Sequence, residues 1–470
     1  MKFSGDGWTG VISDDFTFEK ASIVVKAICK YMTSHGLDRK KLIVSYDTRF
    51  LSHKYAQMAV EVITGHGIKC IISERDTPSI FSLSTLKTEK EGGLIHFSGT
   101  NREYYINSIL FFPEYGGPAF SHIVMEIERN IRLISQMEED IPMKSYGQGL
   151  ALSNVIVHDV FSDYRKTLEK SIDIKKMKDI ECRICVDYMN GSLRGFLRDI
   201  LPKNISVIEL NSDYNPYMNG NRPDPESQEL EFLSETIKNS EAQLGVAFDS
   251  DARNVAFLDS SGKKVNRNML LGIILDYILK NRSKSGKVVK TLSTTALVDV
   301  ICEENAIEVI ETFTGFKHIS EKLIKENVLL AADSYGGITF TGHLNNMDSI
   351  LMLMMVFEIM GSTGKTFDEL IKEFSEVYGD YEYKKDIIEL SGEDEKLRMI
   401  GRLKLIAGEF DGSKIKEIKQ SDGFKMIFEN GSWLFLRMNP VNPELELFYE
   451  SRYKDFVDDV QKKVKRFLED

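Results

Sequence analysis

The sequence predicts three consecutive α/β domains followed by a smaller C-terminal α+β domain. Three observations carry that prediction. Apolar strand-like runs alternate with helix-period segments through the first three quarters of the chain; the alternation starts afresh at Arg183 and again at Lys287; and its character changes from about Lys384 onward.

Phe18 to Met32 carries apolar residues at helical spacing, and Lys41-Leu-Ile-Val-Ser-Tyr46 reads as a buried strand. A helix from about Lys54 to Thr64 stops at Gly65-His-Gly67, and the strand Ile68-Lys-Cys-Ile-Ile72 follows. Met143 to Gly149 looks like a linker, after which Arg183-Ile-Cys-Val-Asp187 opens a second block and Lys287-Val-Val-Lys-Thr-Leu292 a third. The last segment has short strands, Gly423 to Phe428 and Ser432 to Arg437, and a closing helix from Tyr453 to Leu468.

Composition bounds the function. Of 470 residues, 42% are apolar and 28% charged, enough for several cores and against intrinsic disorder. Sixty Lys and Arg against 72 Asp and Glu leave a net charge of −12, which repels nucleic acid and anionic lipid; neither is an expected partner. A small anionic ligand requires a local basic cluster. Five cysteines, an odd number, point to buried thiols in a reducing compartment. Cys182 and Cys185 form a C-x-x-C inside the alternating strand Ile180 to Val186, where they face opposite sides and read as structural. The start, Met1-Lys-Phe-Ser-Gly-Asp, is too polar for a secretory signal. The Met-rich run Ile350 to Phe357 ends at Glu358, short of the ~18–20 residues of a membrane span, and reads as a core helix. A soluble, cytoplasmic protein is the expectation.

Eight segments then fall in a recognisable order: Phe3-Ser-Gly-Asp-Gly-Trp-Thr-Gly10, Tyr46-Asp-Thr-Arg-Phe-Leu-Ser52, Gly92-Gly93, Pro113-Glu-Tyr-Gly-Gly-Pro-Ala119, Asp249-Ser-Asp-Ala-Arg-Asn254, Gly315-Phe-Lys317, Asp333-Ser-Tyr-Gly-Gly337 and Trp433-Leu-Phe-Leu-Arg-Met-Asn-Pro-Val-Asn-Pro443. Together they resemble the α-D-phosphohexomutase superfamily, particularly its phosphoglucomutase/phosphomannomutase branch, over essentially the whole chain. The resemblance implies mixed sheets, a central cleft, and domains at 1–146 (nucleophile loop), 147–256 (metal loop), 257–376 (sugar loop) and 377–470 (phosphate loop). It also implies carbohydrate metabolism and an intramolecular phosphotransferase, an isomerase that interconverts hexose 1- and 6-phosphates.

That chemistry needs a phosphorylated serine in line, a cation on the equatorial oxygens and firm positioning of the far phosphate. The family's T-[AG]-S-H-N meets Ser98-Gly-Thr-Asn101. Counting from Gly93 without a gap puts Gly99 at the nucleophile position, whereas one inserted residue puts Thr100 there; Ser98 is a third candidate, and the usual histidine is absent. Of the three metal-binding aspartates, Asp249 and Asp251 stand, but the third position is Arg253 and the following arginine is Asn254. Mg²⁺ is thus expected from the family and doubtful in this chain; Arg253 reads either as a replacement cation or as part of a salt-bridged, decayed site.

The sugar loop carries Asp333 for the usual glutamate and Tyr335 for a serine, followed by Gly336. The phosphate loop keeps Arg437, but its S-G-T reads Asn439-Pro-Val441, losing an N–H donor and a hydroxyl. Thr9 stands where the opening loop has arginine, and His343 and Asp348 match the family with a structural role expected. Asp6, Asp47, Arg49 and Lys317 are retained, and Arg49 and Lys317 with Arg253 and Arg437 are the candidate basic cluster. The leading expectation is an impaired or inactive homologue, a pseudoenzyme that binds a hexose phosphate or another small anion, or a protein partner. The alternative is a working mutase with a hexose bisphosphate activator and Thr100 or Ser98 as nucleophile.

Overall fold

The computed structural model describes all residues except 6, 227–229, 283–284, 335–336, 411–413, 440–442 and 470. The chain forms two compact units, one of residues 1–265, 320–325 and 335–368, the other of residues 266–319, 326–334 and 369–470.

The first unit holds two mixed sheets. One has six strands in the order Trp8–Val11, Ile106–Pro113, Gly93–Phe97, Leu42–Tyr46, Cys70–Ser73 and Val155–His158. The first three pair antiparallel and the rest parallel. Leu42, Ile43 and Val44 are wholly buried, as expected for a central parallel strand covered on both faces. The helix Phe18–Ser34 is capped by Thr17, whose side chain accepts from the Lys20 N–H. Its Ala21, Val24, Val25, Ile28 and Met32 fill the core against this sheet.

The linker expected at 143–149 is in part the helix Tyr146–Ala151, capped by Ser145. The next strand, Val155–His158, lies beyond the boundary drawn after residue 146 yet adds to the first sheet, in register with Cys70–Ser73. The second sheet has five strands, ordered Lys264–Val265, Val255–Leu258, Leu244–Phe248, Cys182–Asp187 and Ile205–Leu210. All five cysteines are free and buried. The Met-rich run lies in the helix Ser349–Thr363, whose residues 349–360 are all buried. Among the described residues no single helix is long and apolar enough to cross a membrane.

In the second unit the strand Lys287–Thr291 runs parallel to Val309–Thr312 on one side and Val328–Ala332 on the other. The C-terminal part is a five-stranded antiparallel sheet ordered Glu382–Glu389, Glu444–Ser451, Trp433–Met438, Phe424–Phe428 and Ile415–Lys419. Val457, Val460 and Val464 of the closing helix, Lys454–Glu469, pack with Leu434, Leu436, Leu445 and Leu447. This is the α+β segment read from the sequence, with strand and helix ends displaced by about a residue.

Candidate active site

Most of the expected site residues of the first unit converge on one buried network. Arg49 has no exposed surface, and every N–H of its guanidinium is used. Nε donates to the Ile106 carbonyl at 2.8 Å; Nη1 donates to Asp47 Oδ2 at 3.2 Å and Ser250 Oγ at 2.9 Å; Nη2 donates to the carbonyls of Thr100 at 3.1 Å and Arg102 at 2.5 Å. Asp47 also accepts from the Arg49 N–H, Ser52 Oγ at 3.0 Å and Ser98 Oγ at 2.8 Å. Ser98 is wholly buried, and its oxygen in turn accepts the Thr100 N–H at 2.9 Å.

The loop between the strands Gly93–Phe97 and Ile106–Pro113 therefore wraps the Arg49 side chain. A Cβ at Gly99 would stand 2.3 Å from Arg49 Nε and 2.5 Å from the Ile106 carbonyl oxygen, far inside contact distance. Thr100, half-buried, is left as the accessible short-chain hydroxyl of this loop, and its φ of 52° is unusual for a β-branched residue. Its Oγ1 reaches only Asn101 Oδ1, at 3.5 Å. Asn101 donates to Asp224 at 3.2 Å. Thr100→Gly is expected to stabilise the fold by about 1 kcal/mol, read as a shift in urea midpoint, because it relieves the left-handed backbone cost of a β-branched residue.

The turn at 249–254 is tied to the same network through Ser250, whose Oγ donates to the Thr100 carbonyl at 2.6 Å. Asp249 and Asp251 are wholly buried. Asp249 accepts from the N–H groups of Asp251 and Arg253 at 3.2 and 2.8 Å and from Asn254 Nδ2 at 2.5 Å. Asp251 accepts from the Ser79 N–H at 2.7 Å, Ser79 Oγ at 2.6 Å and His96 Nε2 at 3.0 Å. Burial and the neighbouring Asp251 push the Asp249 carboxyl up to about 7. Burial also pushes Asp251 upward, but His96, Arg253 and Ser79 outweigh it and hold that carboxyl below its usual range. Arg253 is half-buried, and its guanidinium has no hydrogen-bond or ion-pair partner among the described residues. Among the described residues, no three His, Cys, Asp or Glu side chains stand together as a metal-holding group.

In the second unit, Arg437 is not free. Its Nε lies 3.2 Å from Asp422 Oδ2, without hydrogen-bond alignment, and its Nη1 donates to Glu446 Oε2 at 2.8 Å. Asn439 donates to Glu444 at 3.2 Å and reaches Glu446 at 3.5 Å. A phosphate would have to displace these carboxylates. Lys317 is half-buried with no ion-pair or hydrogen-bond partner among the described residues, and Asp333 is buried. Tyr335, Gly336, Pro440, Val441 and Asp6 lie outside the described residues.

Sequence reasoning missed Ser79, His96 and Ser250. His96 carried a signal: a histidine inside the buried strand Gly93–Phe97 must find partners, and it takes Ser45 Oγ at 2.8 Å on one nitrogen and Asp251 on the other. His343 and Asp348 pair at 2.8 Å, and Asp348 also caps the helix Ser349–Thr363 and accepts from Tyr164 Oη at 2.9 Å.

Residues 1–138, 162–262 and 266–378 match, respectively, domains I, II and III of the phosphoglucomutase/phosphomannomutase family, each described as an alpha/beta/alpha domain. A phosphoglucomutase/phosphomannomutase from Thermococcus kodakarensis is 23% identical over 96% of this chain and 95% of its own length. A phosphoglucosamine mutase from Clostridium botulinum is 25% identical, over 87% of this chain and 90% of its own. Among solved structures, a phosphoglucomutase/phosphomannomutase family protein from Burkholderia thailandensis superposes with a TM-score of 0.82 at 16% identity, covering 99% of this chain and 97% of that one. An Aspergillus fumigatus N-acetylphosphoglucosamine mutase, solved with GlcNAc-6P and magnesium, gives 0.60 at 12% identity, covering 100% and 95%. Identities this low in the solved structures speak to fold alone.

Proposed function

The chain belongs to the α-D-phosphohexomutase superfamily, with the phosphoglucomutases and phosphomannomutases, and we propose that within it this protein binds a hexose phosphate without transferring the phosphoryl group. One observation carries the reading: the space a side chain at Gly99 would need is filled by the Arg49 guanidinium, whose donors are all committed. Ser98 is likewise committed, to Asp47.

Further support comes from the carboxylates. Mg²⁺ takes a near-octahedral shell of oxygens, yet the oxygens of Asp249 and Asp251 already accept from protein donors and the third position is a cation, Arg253. The residues present do not fit the metal. Arg49, Asp249 and Asp251 serve the fold in this reading, as does Arg437 between Asp422 and Glu446. Among the cations of the candidate basic cluster, Lys317 and Arg253 have no hydrogen-bond or ion-pair partner among the described residues. The sugar-phosphate class is supported by this basic chemistry and by the names of the curated relatives, a phosphoglucomutase/phosphomannomutase and a phosphoglucosamine mutase. Five buried thiols suit a reducing compartment, and the cytoplasm is the location we propose.

A second reading is favoured by the left-handed Thr100, because strained backbone gathers at working sites. In it Thr100 accepts and returns the phosphoryl group, with a hexose bisphosphate as activator. Intact-mass analysis after incubation with glucose 1,6-bisphosphate separates the two. The first reading predicts no phosphoprotein. A phosphoprotein that survives Ser98→Ala and vanishes in Thr100→Ala would overturn it in favour of the second.

A further inference from the structure

The carboxylates beneath the 249–254 turn are sealed from solvent: Asp47 is 1% exposed, and Asp249 and Asp251 are 0%. The turn itself is pinned from several sides. The Ser250 carbonyl accepts the Ser192 N–H at 2.9 Å and Ser192 Oγ at 2.8 Å; the Ala252 carbonyl accepts Ser349 Oγ at 2.5 Å; and Asp251 is held by Ser79 and His96. What this rigid turn offers outward is Arg253.

Its backbone N–H is anchored to Asp249 at 2.8 Å, while its guanidinium makes no hydrogen bond or ion pair with the described residues; its charge acts on Asp249 and Asp251 only at longer range, favouring their ionised forms. A guanidinium so close to two carboxylates ordinarily pairs with one of them. Here their oxygens face other donors: Asn254, the turn's own N–H groups, Ser79 and His96. The turn that carries this cation is fixed and the donors of its guanidinium are unspent, so they are open to an anion.

We propose that Arg253 is the fixed cation of a phosphate-monoester site that works without a divalent metal. The planar fork of the guanidinium takes two phosphate oxygens of a hexose phosphate, a role for which arginine is better shaped than lysine. The inference rests on the sugar-phosphate-binding reading above and adds to it the side chain that takes the phosphate.

Titration calorimetry of the full chain tests this, with glucose 1-phosphate and inorganic phosphate as probes, in EDTA and in Mg²⁺. Affinity is expected to be the same in both media and to fall about tenfold or more in Arg253→Met. That variant is expected to stay folded, since the side chain it removes makes no hydrogen bond or ion pair with the described residues, and a melt beside the wild type separates a loss of affinity from a loss of fold. Binding that requires Mg²⁺, equal affinity in Arg253→Met, or no binding of either probe would each overturn the inference. Failure of the two ideas is distinguishable. Retained affinity in Arg253→Met leaves the non-catalytic reading standing, whereas phosphoryl transfer by the wild type defeats that reading and leaves the calorimetric comparison in force.

Discussion

Gly99→Ser is expected to destabilise the first unit by about 3–5 kcal/mol and to produce no phosphoserine. A serine there looks on paper like restoration of the nucleophile. In space its Cβ would lie 2.3 Å from Nε and 2.5 Å from Cζ of Arg49, and 2.5 Å from the Ile106 carbonyl. The neighbour is not a flexible tip that swings aside. Arg49 has no exposed surface and donates to Asp47, Ser250 and the carbonyls of Thr100, Arg102 and Ile106. Displacing it leaves Asp47 a buried carboxylate without its cation, the costly half of a broken buried pair. Urea unfolding measures the loss and intact-mass analysis the absence of phosphate. A variant as stable as wild type would mean that Arg49 yields readily.

Glu311→Ala is expected to cost the second unit a similar amount, about 3–5 kcal/mol. Glu311 sits among three lysines: Lys419 at 2.6 Å, Lys425 at 3.0 Å and Lys290 at 3.9 Å. Lys290 and Lys425 are only 1% and 3% exposed. Lys290 keeps a second carboxylate, Asp299, whereas Lys425 keeps the Leu292 carbonyl at 2.6 Å, the face of Trp433 and, at longer range, the charge of Asp299. Burial, then Lys290, lowers Lys425 to about 8 even with Glu311 present. Without Glu311 this ammonium is buried and unbalanced.

The same cluster predicts a pH dependence. Burial pushes Glu311 up, but Lys425, Lys290 and Lys419 outweigh it and carry the carboxyl from 4.5 down to about 2. The unfolded chain therefore takes up this proton first as pH falls. The stabilisation is complete above 4.5 and is lost as pH drops towards 2, by up to about 3 kcal/mol. Melts of wild type across that window should converge on those of Glu311→Ala, which lacks the group.

The sequence was most legible where the information is local. Strand and helix periods announced the α/β blocks, and the change near Lys384 announced the antiparallel sheet that begins at Glu382. The ordered short segments identified the family. What they left open was how each retained side chain is used. Arg49 looked available for phosphate, yet the carbonyls that consume it come from residues 100, 102 and 106. Asp251 looked like a metal ligand, yet its donors are Ser79 and His96, 172 and 155 positions away. Arg437 looked like a phosphate anchor, yet its register partner across the sheet is Glu446. Hydrogen-bond partners brought together by folding leave no periodic trace in a chain. Arg253 is the reverse case: the sequence left it either a stand-in cation or half of a salt bridge, and its guanidinium makes no close ion pair among the described residues, acting on Asp249 and Asp251 only at longer range.

We propose that a phosphohexomutase fold has here kept its frame and given its transfer groups to internal bonding. The most direct test follows ³¹P resonances of glucose 1-phosphate in the presence of the protein, glucose 1,6-bisphosphate and Mg²⁺. The glucose 1-phosphate signal is expected to persist at the rate of the protein-free control. Conversion to glucose 6-phosphate that depends on the protein and disappears in Thr100→Ala would contradict it.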